Sequence, residues 1–251
     1  AEYAYTNNDI CDFVNGSWSP ANPMSNIWSS SYKAIQICNQ YLAEFQGLTF
    51  DELKLNDDYR AQMFRYTNSF KEARFLRAYF YFNLVRAYGD VPYFTEMVTT
   101  DQVNSLTRTP AQEIFNAIIA ECDKLSTELP ADYTKLGLDG IAPAENGRVT
   151  CYAALALKAR AALYAASPLF NPENNKDLWR RAAEANKEVI ETCTANGFKL
   201  SKYSELWGPN NWSNNEMIFV RRYNGNISTL EEYNFPMGVP GGNSGNCPTQ
   251  N

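Results

Sequence analysis

Residues 72–94 read Glu-Ala-Arg-Phe-Leu-Arg-Ala-Tyr-Phe-Tyr-Phe-Asn-Leu-Val-Arg-Ala-Tyr-Gly-Asp-Val-Pro-Tyr-Phe. Phe70, Ala73, Arg77, Phe80, Leu84 and Tyr88 fall on one helical stripe, and Phe75, Tyr79, Phe82 and Val85 on a second. A helix that is apolar on nearly every side is surrounded by other protein rather than lying on a surface. Gly89 suits the left-handed position after a helix, and Pro92 prevents the helix from resuming. Arg74 and Arg77 sit inside this apolar run. A buried guanidinium must be paired and hydrogen-bonded, so both read as ties between helices.

Four more helices follow from the pattern outside this stretch. The first runs from about Ile27 to Phe45, with Tyr32, Ile35, Cys38, Asn39 and Leu42 at helical spacing. The helix carrying the quoted stretch starts near Tyr59. A third opens at Thr109-Pro110-Ala111-Gln112, where Thr109 fits an N-cap, Pro110 fits N1 and Gln112 would complete a capping box. The fourth spans about Val149–Ser167 and is dense in alanine, which lets a neighbouring helix approach closely. The fifth opens at Asp177 as N-cap, presents Trp179, Ala182, Asn186, Val189 and Cys193 inward, and closes at Gly197. First pairs with second, third with fourth, and the fifth has a short or missing partner. The spacing is that of tetratricopeptide units with long loops. The fold class is therefore mainly α: tetratricopeptide-like helix pairs with long irregular loops, a helical scaffold over 27–197 and a loop-rich region over 198–251. Within the latter, Glu216–Val220 reads as one short strand.

Residues 72–94 resemble the signature of the SusD/RagB family of outer-membrane nutrient-binding lipoproteins. The match lies in Glu72 to Ala78, the aromatic cluster Tyr79 to Phe82, and Arg86-Ala87-Tyr88-Gly89-Asp90-Val91-Pro92. Gly147-Arg148-Val149-Thr150 and Ala166-Ser167-Pro168-Leu169-Phe170 resemble the family as well. The resemblance implies a helical scaffold containing tetratricopeptide units. It also implies capture of a glycan or other nutrient, and delivery to a SusC-like TonB-dependent transporter. A signal peptide and a lipidated cysteine upstream of Ala1 are implied too, placing the protein on the cell surface at the outer membrane. Cys11 is not that cysteine, because Thr6 to Ile10 form no apolar run. Pro248-Thr249-Gln250 resembles an element that lies mid-chain in the family, so the sequence reads as the first half of a longer protein.

Composition narrows the chemistry. Among 251 residues there is no histidine, which removes the commonest general base and the commonest metal ligand. Net charge is −6 and basic runs are absent, which argues against nucleic acid as a partner. Six cysteines, at 11, 38, 122, 151, 193 and 247, form no Cys-x-x-Cys pair and read mainly as buried thiols; a disulfide involving Cys11 or Cys247 stays open. No cofactor and no metal site is assigned. Asn171 to Asp177 lacks the glycine and terminal glutamate of a calcium loop.

Aromatic residues make up 14% of the chain. Those in predicted loops suit sugars, whose rings present an apolar C–H face and a rim of hydroxyls. Trp18 with Asn22, Trp207 and Trp212 around Asn211, and Tyr233 are the expected substrate-binding residues. Two other readings stay open. An all-helical glycosidase needs two carboxylates about 5–10 Å apart, and no spacing among Asp90, Glu96, Asp101, Glu205, Glu216, Glu231 and Glu232 selects a pair. A tetratricopeptide-like adaptor would bind protein segments along helix faces.

Overall fold

The computed structural model describes residues 4–5, 19, 27–138, 147–206, 214–220, 235–236, 238–240, 242 and 247–248. The chain divides into two compact units. One comprises Ala1–Asn26 with Arg221–Asn251 and contains an antiparallel pair of two-residue strands, β1 (Ala4–Tyr5) and β2 (Cys247–Pro248), with Ala4 opposite Pro248. The other, Ile27–Val220, carries every described helix.

These helices are α1 (Trp28–Glu44), α2 (Tyr59–Tyr88), α3 (Thr100–Ser105), α4 (Ala111–Glu128), α5 (Cys151–Ala166) and α6 (Lys176–Ala195). Each long helix packs on the next: α1 on α2, α2 on α4, α4 on α5 and α5 on α6. The fold is mainly α, as the periodicity requires. The fifth predicted helix, α6, is not short of a partner; it lies against α5. Alanines make this possible. Ala153, Ala154, Ala159, Ala161, Ala162, Ala165 and Ala166 are all buried, so α5 accepts a neighbour on either side. Lys158 binds Asp123 of α4 at 2.5 Å and Glu188 of α6 at 2.6 Å.

One hydrophobic core runs through α1, α2, α4, α5 and α6, with Phe75, Tyr81, Phe82, Leu84, Phe115 and Ile118 among its fully buried side chains. Each large apolar side chain so buried stabilises by about 1.5–3 kcal/mol before entropy is counted. Helix α2 buries Ala73, Phe75, Ala78, Tyr81, Phe82, Leu84 and Val85 in the core but is not covered all round: Tyr79, Arg86 and Ala87 are exposed and most other positions of the stretch are half-buried.

The Gly-Asp-Val-Pro turn is a joint as well as a stop. Gly89 takes φ +70°. Asp90 Oδ1 accepts the Ala111 N–H at 2.8 Å, and the Val91 carbonyl accepts the Thr109 N–H at 2.9 Å. Side chains of α1 and α2 then hold the carbonyls that follow. Tyr32 donates to Pro92 (2.8 Å), Tyr81 to Phe94 (2.6 Å), Arg77 to Thr95 (2.7 Å) and Asn39 to Glu96 (2.9 Å). Arg77 also donates to Asn39 Oδ1 at 2.8 Å, while Arg74 binds Glu121 and Glu128, each at 2.6 Å. Both arginines tie helices together.

Several local expectations are corrected. Helix α4 has Pro110 as N-cap with no side-chain cap of its own. Asp90 serves it instead, and Gln112 donates to the Ala165 and Phe170 carbonyls (both 2.7 Å), leaving no capping box at Thr109. A capping box does occur one helix earlier, where Thr99 and Gln102 close the start of α3. The N-cap of α6 is Asn175, whose side chain accepts the Asp177 N–H, so Asp177 sits in the first turn. The inward stripe of α6 is Leu178, Ala182, Ala185, Val189 and Cys193, with Asn186 beside them reaching the Ala159 carbonyl of α5, so of the expected inner residues only Trp179 is misplaced. Trp179 points outward, 37% exposed, with its indole N–H on Asn174 Oδ1 at 3.2 Å. Residues 214–220 are turns and bends rather than a strand.

Candidate functional site

Within the helical unit, a cavity of about 650 Å³ opens where three connections meet: 130–136 after α4, 147–152 leading into α5, and 196–198 after α6, with 214–220 closing a side. A volume of roughly 300–1,000 Å³ is what small-ligand sites occupy. Its aromatic lining is Tyr133, Tyr152, Phe198 and Phe219; amide groups come from Asn196, Asn214 and Asn215; Asp132, Lys135 and Arg148 supply charge.

Each part is held by identifiable bonds. Asp132 starts a 3₁₀ turn (Tyr133–Lys135), accepting the Thr134 N–H at 2.9 Å and its hydroxyl at 2.6 Å. The Thr134 hydroxyl, with help from Lys135, holds the Asp132 carboxyl below the usual carboxylate range. Gly197 takes φ +87°, turning the chain so that Phe198 meets Tyr152 edge-on with ring centroids 4.8 Å apart. The 214–220 segment is fastened to residue 201: Ser201 bonds Asn214 Oδ1 through its hydroxyl (2.6 Å) and Glu216 through its N–H (2.9 Å). Phe219 meets Phe75 of the signature helix edge-on at 5.5 Å.

Behind the cavity wall lies a polar cluster that reaches into the signature. Glu72 takes Arg148 in a fork, Nε to Oε1 at 2.9 Å and Nη2 to Oε2 at 3.0 Å. Asn68 donates to Glu72 Oε1 (2.6 Å) and to the Tyr133 hydroxyl (2.8 Å). That hydroxyl donates to the Val149 carbonyl at 2.7 Å and has Glu72 within 3.1 Å as a second acceptor. Burial, then the Glu72 charge, raises the Tyr133 phenol above its ordinary value, so it stays a donor at neutral pH. The arrangement fixes Tyr133 and Arg148 as rigid wall elements. Thr150 Oγ1, on the same wall, is buried with no hydrogen-bond partner among the described residues.

A second, smaller cavity of about 240 Å³ is bounded by Arg74, Arg77, Tyr81, Tyr93 and Glu121, whose arginines are already engaged as helix ties.

Trp18, Asn22, Trp207, Asn211, Trp212 and Tyr233 all lie outside the described residues. Trp28 is the first residue of α1 and packs on Tyr32 (4.9 Å) and Tyr88 (5.1 Å), so it belongs to the scaffold. Sequence reasoning missed Tyr133, Arg148, Tyr152 and Phe198. Only Arg148 carried a signal, as part of Gly147-Arg148-Val149-Thr150; the others come together through the packing of α4, α5 and α6. Among the described lining residues Asp132 is the sole carboxylate, so a two-carboxylate hydrolytic pair is not assembled there. No group of three or more His, Cys, Asp or Glu among the described residues could hold a metal ion. No described helix is long and apolar enough to cross a membrane.

A scaffold of successively packed helices, jointed at Gly-Asp-Val-Pro, defines a SusD-type helical domain. The family model described as SusD-like, starch-binding and associating with the outer membrane matches residues 3–163, and the chain belongs to that family. Two curated relatives from Formosa agariphila are SusD-like protein P25, 23% identical over 197 residues, and SusD-like protein P2, 26% identical over 210. They align with 78% and 82% of this chain but only 31% and 35% of their own lengths. The chain thus spans about a third of these relatives. A SusD-like carbohydrate-binding protein from Bacteroides fragilis superposes with TM-score 0.65 at 25% identity, covering 97% of this chain and 40% of that one. A SusD superfamily protein from Parabacteroides distasonis gives TM-score 0.62 at 26% identity, covering 90% and 44%. A laminarin-binding SusD-like protein shares the fold, with TM-score 0.62 at 23% identity and coverage of 86% and 42%.

Proposed function

We propose that the whole protein captures an oligosaccharide at the cell surface and passes it to a SusC-like TonB-dependent transporter. An N-terminal lipid would hold it to the outer membrane. The observation that carries this reading is the family match over residues 3–163. The cavity is consistent with it chemically: aromatic faces suit the C–H side of a sugar ring, and amides with fixed polar side chains suit its hydroxyls. Binding proceeds without bond cleavage, at an affinity modest enough to permit release. Trp18, Asn22, Trp207, Asn211, Trp212 and Tyr233 are the loop side chains assigned to ligand contact. Asn211 and Trp212 directly precede the 214–220 segment in sequence, which makes Trp212 the first position to test.

Calorimetric titration of the full-length protein with a panel of neutral and acidic oligosaccharides, run beside a reducing-sugar assay, tests the proposal. Saturable binding with no sugar released is the expected result. Release of reducing ends would replace it with the hydrolase reading. Silence across the glycans with retained peptide binding would replace it with an adaptor or a peptide-binding function.

A further inference from the structure

Helices α5 and α6 run antiparallel, and their register is fixed by two contacts: Lys158 Nζ to Glu188 at 2.6 Å, and Asn186 Nδ2 to the Ala159 carbonyl at 3.4 Å. Moving seven residues from Lys158 toward the start of α5 reaches Cys151. Moving seven from Asn186 toward the end of α6 reaches Cys193. Seven residues are two helical turns on the same face, so each cysteine stands on a face that meets the other helix; Cys151 is eight residues before Ala159 and Cys193 seven after Asn186, which puts the two within one or two residues of the same level. The Tyr152–Phe198 ring contact lies just past them and confirms that the helices stay together there. Both are free thiols; Cys193 is buried at 7% exposure and Cys151 is half-buried. Buried alanines line both helices, among them Ala159, Ala162, Ala182 and Ala185, and small side chains let helices pack closely. A disulfide requires two Cβ atoms about 4 Å apart, which is the approach that oxidation would demand of this pair.

We propose that Cys151 and Cys193 are an oxidisable dithiol that forms a disulfide stapling α5 to α6 in the exported protein. A family associated with the outer membrane passes through the periplasm, where disulfides form and persist. The oxidant is a disulfide of the exchange class, such as a protein dithiol oxidant or oxidised glutathione. Cys151, the more exposed thiol, attacks one donor sulfur as thiolate and releases the other as donor thiolate. Cys193 then displaces the second donor sulfur. One S–S bond forms and one is consumed. Two electrons pass to the donor, and the two cysteine protons end on its thiols. Burial raises both cysteine thiols, and Cys193 is among the groups that hold Cys151 up, so exchange is slow and the bond, once made, is shielded.

The staple bears on the cavity described above. Thr150 and Tyr152 line that cavity from one side of the pair, and Asn196, Gly197 and Phe198 from the other. Oxidation therefore fixes the spacing of that wall. The chemistry itself does not depend on the glycan-binding reading, and its test does not use a glycan.

The full chain is equilibrated with oxidised glutathione, alkylated under denaturing conditions without reductant, digested and mapped by mass spectrometry. The expected product is a cross-linked peptide joining residues 151 and 193, two hydrogens lighter than the separate peptides. Recovery of Cys151 and Cys193 both alkylated, or cross-linked only to other cysteines, overturns the proposal. In parallel, dithiothreitol should lower the melting temperature of the oxidised protein by about 5–10 °C. The same shift should persist in Cys38→Ser and Cys122→Ser and vanish in Cys193→Ser. If Cys193→Ser does not fold, the wild-type peptide map decides alone.

Discussion

Replacing Glu72 by Gln keeps the side-chain shape and removes the charge that faces Arg148. The side chains of Glu72 and Arg148 are 15% and 30% exposed. Exposed pairs of this kind contribute about 0–1 kcal/mol, whereas breaking a buried one costs about 3–5 kcal/mol. This pair lies between these limits and is forked, and Asn68 and Tyr133 share the same carboxylate. A loss of about 2–3 kcal/mol follows, from replacing the charged fork to Arg148, and the carboxylate that Asn68 and Tyr133 share, by a neutral amide. Thermal unfolding by circular dichroism should show a fall of about 5–10 °C. The decisive comparison is Glu72→Gln with Arg148→Met. The double variant removes both charges of the fork and should be no less stable than Glu72→Gln alone. A single-variant loss below about 0.5 kcal/mol, or strict additivity in the cycle, would refute this account of the cavity wall.

Three further outcomes are expected. Asp90→Ala removes the acceptor for the Ala111 N–H and should destabilise by about 1–2 kcal/mol, read from a urea midpoint at unchanged slope. Trp212→Ala and Trp18→Ala should each leave the circular dichroism melt unchanged while weakening oligosaccharide binding at least about tenfold by calorimetry; if neither weakens it, the loop assignment is wrong. The Asp132 carboxyl titrates below its unfolded value of 3.8, so its contribution is present above that pH and is lost as pH falls through the lower folded value. Asp132→Asn should therefore flatten the acid end of the stability–pH profile, and an unchanged acid limb would contradict the Thr134 bond.

Helix positions were legible because period and punctuation agree in them. The α2 signature, the Ala-rich α5 and the Gly89 stop each combine an apolar stripe with a residue that fits its backbone geometry. Caps were less legible. Asp90 caps a helix that begins 21 residues later, and a local reading assigns such a cap to the nearest polar residue, Thr109. The α6 face was misjudged by one position because Trp179 was taken as apolar and therefore inward. Its neighbour Leu178 fills that place, and the indole N–H reaches Asn174 at the surface. Residues 217–220 form a short apolar run as a buried strand would, but Asn214 and Ser201 fasten the segment through side chains, leaving no ladder partner among the described residues. The cavity was invisible in sequence because its walls come from three separate connections. Of the lining residues in the quoted Gly147-Arg148-Val149-Thr150 stretch, Arg148 is the one whose partner, Glu72, belongs to the signature.

The joint after α2 has a consequence for how the family diverges. Tyr32, Asn39, Arg77 and Tyr81 all address carbonyl oxygens of residues 92–96, and Asp90 addresses a backbone N–H. Main-chain atoms are supplied by any residue in the right conformation. The addressing side chains are therefore pinned, while the exposed side chains of the addressed segment, Thr95 and Glu96, are free to drift. At about 25% identity, relatives should keep these five anchors and vary Thr95 and Glu96 with little effect on the joint. The segment after the helix is a place where sequence can be rewritten while geometry stays put, which gives a scaffold of this kind room to acquire new ligands.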